Sequence, residues 1–105
     1  MRILLLSFVL FLSPTLLAQA SQPDWSSVEE ETLRHFRALL QFDTSDPPGR
    51  ELPAAEYIRD VLEAEGFEVE MLSTDPERPN VITRLEGSGD KEPLLIMAHT
   101  DVVNV

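Results

Sequence analysis

The chain has 105 residues, 43% hydrophobic and 26% charged, and a formal net charge of −11 from 8 basic and 19 acidic side chains. That bounds it to one small globular domain at most, and a chain this acidic repels phosphate backbones and anionic membrane surfaces, which argues against nucleic-acid binding. It contains no cysteine, which excludes disulfides and thiolate ligands, so any zinc would be held by histidine and carboxylate.

Residues 1–20 read as a cleavable export signal. Arg2 opens it, Ile3 to Leu12 is an almost unbroken apolar run, Ser13-Pro14 breaks the run, and Ala18-Gln19-Ala20 supplies the small residues of a cleavage site. The apolar run falls short of the roughly 20 residues that a helical membrane span needs. The expectation is a cut after Ala20, no stable membrane span afterwards, and an exported protein.

A first helix is expected to begin near Ser27. Ser27-x-x-Glu30 has the form of a capping box, and Glu29, Glu30 and Glu31 would favour the positive end of the helix dipole. Val28, Leu33, Phe36, Leu39 and Leu40 give it one apolar face, and Glu30 and Arg34 are spaced to pair on the outer one. His35, at the edge of the apolar stripe, is read as structural or solvent-facing. Gln41 to Arg50 is a loop, because Asp43-Thr44-Ser45-Asp46-Pro47-Pro48-Gly49 joins turn formers to two prolines. Its aspartates are read as turn formers rather than calcium ligands, since no regular series of oxygen ligands follows.

A second helix starts close to Pro53, a residue suited to a first helical turn. Ala54, Tyr57, Ile58, Val61 and Leu62 form its apolar stripe, and Gly66 supplies a left-handed cap. Phe67, Val69 and Met71 alternate with Glu68 and Glu70 as in a half-exposed strand. Asn80 to Leu85 is a second strand. Gly87 to Glu92 reads as a polar turn between strands. Leu94-Leu95-Ile96-Met97, opened by Pro93, reads as a third strand buried on both faces and ending at His99. The order helix, helix, strand, strand, strand describes the opening of an α/β domain whose sheet is incomplete here.

The chemistry gathers at His99 and Asp101. Side chains two apart in extended backbone project to the same side. A neutral imidazole is a good zinc ligand when its second nitrogen donates to a carboxylate. The pair is therefore a ligand and its orienter, a base and its orienter, or a structural hydrogen bond closing a strand.

Leu94 to Val103 resembles the first metal-binding motif of the M20 metallopeptidase family, which includes acetylornithine deacetylase, succinyl-diaminopimelate desuccinylase, aminoacylase-1 and the glutamate carboxypeptidases. That motif is an apolar strand followed by Gly-His-x-Asp-Val-Val-Pro. Thr44-Ser45-Asp46-Pro47-Pro48-Gly49 resembles the family's Thr-x-Asn-Pro-Pro-Gly loop. Gly66-Phe67-Glu68-Val69 and Asn80-Val81-Ile82-Thr83-Arg84 follow in the family's order. Ala98 and Asn104 stand where glycine and proline are frequent.

The resemblance implies the start of a zinc-peptidase-like catalytic domain over residues 21–105, acting on a small peptide or N-acyl amino acid. It implies a site of usually two zinc ions, or other divalent metals. His99 would be a metal ligand and Asp101 the catalytic-site aspartate that orients it. The family's remaining ligands and general base come from later segments. A smaller dimerisation domain in family members leaves room for a homodimer of the full-length protein. The competing expectation is a catalytically inactive relative that serves as a binding module, with His99 and Asp101 structural.

Overall fold

The computed structural model describes residues 22–104. The expected signal segment, residues 1–20, lies outside them. In order, the elements are α1 (Trp25–Leu39), β1 (Ser45–Asp46), α2 (Leu52–Ala64), β2 (Val69–Leu72), β3 (Asn80–Thr83) and β4 (Val102–Val103). The result is a small mixed α/β arrangement, with β2 and β3 in one two-stranded sheet and β1 and β4 in another. No helix among the described residues is long and apolar enough to cross a membrane.

Helix α1 begins earlier than the Ser27 capping box predicts. Its N-cap is Asp24, whose carboxylate accepts from the Ser26 backbone N–H at 3.1 Å and from the Ser26 hydroxyl at 2.6 Å. Because the helix starts at Trp25, Ser27 already lies inside it, where its hydroxyl donates to the Asp24 carbonyl at 2.9 Å. The cap falls to Asp24, whose carboxylate meets one of the orphan amides. Glu29, Glu30 and Glu31 consequently fall beyond the first turn, which holds no acidic residue. The expected Glu30–Arg34 pair is replaced by Arg34 with Glu31 at 3.2 Å, both largely exposed. The expected apolar face is also uncovered: Val28, Leu33, Phe36 and Leu40 are exposed. Helix α1 meets α2 through His35, whose Nδ1 lies 2.7 Å from the Tyr57 hydroxyl, and Phe42 packs against the same ring with centroids 5.9 Å apart. His35 is therefore structural, as its position on the stripe implies.

Helix α2 follows its sequence closely. Pro53 occupies its first turn, and Ala54 and Ala55 are buried. At its end Gly66 adopts φ +87, its N–H bonds Glu63 O at 3.0 Å, and the Phe67 N–H bonds Leu62 O at 3.1 Å. Those two bonds, five-to-two and six-to-one, constitute a Schellman cap and turn the chain into β2. Strands β2 and β3 pair antiparallel, Val69 opposite Thr83 and Leu72 opposite Asn80. Phe67, Val69 and Met71 are half-buried while Glu68 and Glu70 are exposed, as the alternation predicts.

The expected third strand does not form. Leu94, Leu95, Ile96 and Met97 are each between 78% and 84% exposed, and residues 84–101 carry no helix or strand. Four consecutive apolar side chains ask for cover on both faces, and a strand needs ladder partners for its backbone. Among the described residues nothing lies against this run to supply either. The pairing falls instead on Val102 and Val103, beyond the His99-x-Asp101 pair, which therefore precedes the strand rather than ending it.

One expected outcome concerns acid. Hydrogen bonds from the Ser26 side chain, then from its backbone, hold the Asp24 carboxyl below its ordinary value of 3.8. A lowered folded value means the cap's contribution is fully present above that ordinary value. It is lost as pH falls below it and through the folded value. Slowed hydrogen exchange at the Ser26 amide should therefore weaken on acidification in the wild type. It should be unchanged in Asp24→Asn, which caps without titrating.

Candidate functional site

The site is built on the Pro-Pro loop. Asp43 starts it: its carboxylate accepts from the Ser45 backbone N–H at 3.2 Å and from the Ser45 hydroxyl at 2.7 Å. Those bonds, the hydroxyl's first, hold the Asp43 carboxyl below its usual range. The peptide bonds Asp46–Pro47 and Pro47–Pro48 are both cis. Gly49, at φ +74, returns its N–H to Ser45 O at 2.9 Å and closes the loop. The sequence predicts a plain loop here. In the structure Ser45 and Asp46 form β1, which pairs parallel with β4, Ser45 opposite Val102 and Asp46 opposite Val103.

Side chains strengthen this junction between segments more than fifty residues apart. Thr44, 5% exposed, donates from Oγ1 to the Thr100 carbonyl at 2.7 Å. The Val102 N–H donates to the Thr44 carbonyl at 3.0 Å. The Asn104 side-chain amide donates to the Pro47 carbonyl at 2.9 Å. A proline at 104 would have no donor to offer.

On the far side the loop is tied to α2. Arg78, in the connection between β2 and β3, donates from Nε to Glu51 Oε2 and from Nη2 to Asp46 Oδ2, each at 3.1 Å. The Glu51 bond, followed by the charge of Asp46, raises the guanidinium above its usual value. The Leu52 N–H bonds Glu77 O at 2.9 Å beside them. The Glu51 side chain is 5% exposed, and its second oxygen, Oε1, has no hydrogen-bond partner among the described residues. Neither Arg78 nor Glu51 stands out in the sequence. Their partners are 27 and 32 positions away, and local periodicity carries no trace of such a contact.

His99 and Asp101 are brought together as their spacing predicts. His99 Nδ1 lies 3.1 Å from Asp101 Oδ1 and 3.0 Å from the Asp101 carbonyl. Both neighbours are acceptors when the carboxylate is ionised, so in the neutral ring Nδ1 carries the proton and Nε2 the lone pair. The His99 side chain is 83% exposed and that of Asp101 40%. The pair borders a cleft of about 360 Å³ whose opposite wall is Glu51, Ala55, Ile58, Arg78 and Val81. No group of three or more His, Cys, Asp or Glu side chains able to hold a metal ion occurs among the described residues.

No protein-family model matches the chain, and no solved structure matches it. Two curated proteins are similar, both named N-formyl-4-amino-5-aminomethyl-2-methylpyrimidine deformylase. The protein from Halalkalibacterium halodurans is 35% identical over 80 residues, covering 73% of this chain and 19% of that protein. The one from Bacillus subtilis is 31% identical over the same length and shares. The chain thus spans about a fifth of the length of the curated relatives it matches.

The loop's geometry carries its own expected outcome. Gly49 is in the left-handed region, and a Cβ there would sit 2.8 Å from Arg78 Nε. Alanine at this φ costs about 1–2 kcal/mol and also pushes Arg78 away from Glu51. Gly49→Ala should lower the unfolding free energy, measured by urea denaturation, by at least that cost.

Proposed function

We propose that residues 21–105 form the N-terminal part of the catalytic domain of an exported M20-type metallopeptidase. This is a metal-dependent hydrolase acting on the amide or peptide bond of a small peptide or N-acyl amino acid. The observation that carries the reading is the His99–Asp101 contact. Nδ1 faces two acceptors on a side chain that is 83% exposed, so in the neutral ring Nε2 is the nitrogen left to bind a metal. This is the arrangement a metal-binding histidine uses, with an outer carboxylate fixing ring and tautomer.

Two further observations support it. The Thr44-to-Gly49 loop and the His99-x-Asp101 segment, which resemble separate family motifs, touch each other through β1 and β4. The relatives are named as deformylases; removing an N-formyl group is hydrolysis of a carbon–nitrogen amide bond, the same reaction class.

The residues present fit one corner of a metal site. His99 Nε2 would hold one ion, while Asp101 keeps the proton on Nδ1 and stops the ring from turning. A catalytic zinc needs about three protein ligands. In this reading the other ligands and the general base belong to the part of the protein matching the rest of the relatives' length. When bound, zinc or another divalent ion polarises the amide carbonyl and acidifies a water molecule. The export signal at residues 1–20 and a homodimer of the full-length protein belong to the same proposal.

In the full-length enzyme, His99→Ala should abolish amide hydrolysis and reduce bound metal at an unchanged melting temperature. Asp101→Ala should lower metal affinity or activity roughly 10- to 100-fold. Full activity in a folded His99→Ala protein would return the pair to a structural role. The 105-residue chain itself should bind zinc weakly or not at all by titration calorimetry, because it offers one imidazole at this site, His35 being engaged with Tyr57. Tight stoichiometric uptake would contradict that assignment.

A further inference from the structure

We infer that Thr44 is the positioning residue for the His99–Asp101 pair, setting both peptide planes that flank Asp101. The inference rests on the reading of that pair as a ligand and its orienter. The plane before Asp101 carries the Thr100 carbonyl, which accepts from Thr44 Oγ1 at 2.7 Å. The plane after it carries the Val102 N–H, which donates to the Thr44 carbonyl at 3.0 Å. Peptide units are planar, so fixing the two planes around a residue fixes its φ and ψ. Thr44 thereby removes the backbone freedom of Asp101 from both sides.

The second plane does a further job. In a trans peptide the N–H and C=O point in opposite directions. With its N–H turned toward Thr44, the Asp101–Val102 peptide turns its carbonyl the other way, where His99 Nδ1 meets it at 3.0 Å. The imidazole is thus held by a peptide whose other end is held by Thr44. The Asp101 carboxylate, 3.1 Å from the same nitrogen, completes the grip. This matters because the histidine itself has no cover: its side chain is 83% exposed, so packing cannot orient it. Thr44, 5% exposed and fixed in the Asp43 turn, is the rigid body to which the ring is indirectly attached.

The test reads the ring directly. Nitrogen-15 shifts of the His99 imidazole, recorded where it is neutral and without metal or substrate, report which nitrogen holds the proton. The wild-type chain should favour the Nδ1–H form. Thr44→Val, the same shape without the hydroxyl, should lose that preference, and Thr44→Ser should keep it. A folded Thr44→Val chain with the wild-type tautomer would overturn the inference, as would a folded Thr44→Ser chain that loses it. Should Thr44→Val not fold, hydrogen exchange at Val102 in the wild type decides together with the serine variant. Slow exchange supports the clamp, and exchange as fast as in open coil overturns it. A merely structural Thr44 would change stability and leave the ring shifts alone. The readout uses neither metal nor activity. It can therefore fail while His99 proves essential in the enzyme, or succeed while the hydrolase reading fails.

Discussion

Everything at the candidate site depends on a junction of two residue pairs. Ser45–Asp46 beside Val102–Val103 is a very short parallel ladder, and it joins segments separated by most of the described chain. Closing so long a loop has an entropic cost that grows only with the logarithm of its length, yet two rungs of backbone are a slight return for it. The junction is reinforced at each end by side chains, Thr44 on the Thr100 carbonyl and Asn104 on the Pro47 carbonyl. Parallel pairs need a crossover between their strands, and here the crossover is α2 with the β2–β3 hairpin. Arg78 returns from that hairpin to bind both Asp46 and Glu51. The loop is consequently held by the unit it connects to, and the geometry around His99 is inherited from α2 through one guanidinium.

What could be read from the sequence was what local physics decides. Helix α2 announces itself by an apolar stripe and a glycine stop. The hairpin shows a period of two. What could not be read depends on contacts or on their absence. Asp24 caps the helix because the helix starts two residues before Ser27, which spacing cannot reveal. Strand β1 is two residues of turn-forming type and shows no strand pattern. The run Leu94 to Met97 has the composition of a buried strand, but composition states a need for cover, not its presence. Thr44 was visible only as a letter in a motif, and its role lies in where its hydroxyl and carbonyl point.

The cleft beside the site has an uneven chemistry. Its wall on α2 is apolar, with Ala55, Ile58 and Leu62, and ends at the buried carboxylate of Glu51. One oxygen of that carboxylate is paired with Arg78, and the other has no partner among the described residues. A buried acceptor without a donor is a standing penalty. His99 and Asp101 line the same cleft.

The uncovered run Leu94 to Met97 has a consequence for the chain as a material. Exposed, apolar and unpaired backbone is the element from which strand-to-strand self-association grows. The sequence brackets this one: Asp90, Lys91, Glu92 and Pro93 stand immediately before it, and Asp101 follows shortly after. Charges repel a second copy laid alongside, and Pro93 has no N–H to donate to a growing ladder. These neighbours act as gatekeepers, so the stretch with the most to gain from sticking to itself is fenced by residues that oppose it. Screening these charges with high salt moves the balance from solubility toward association.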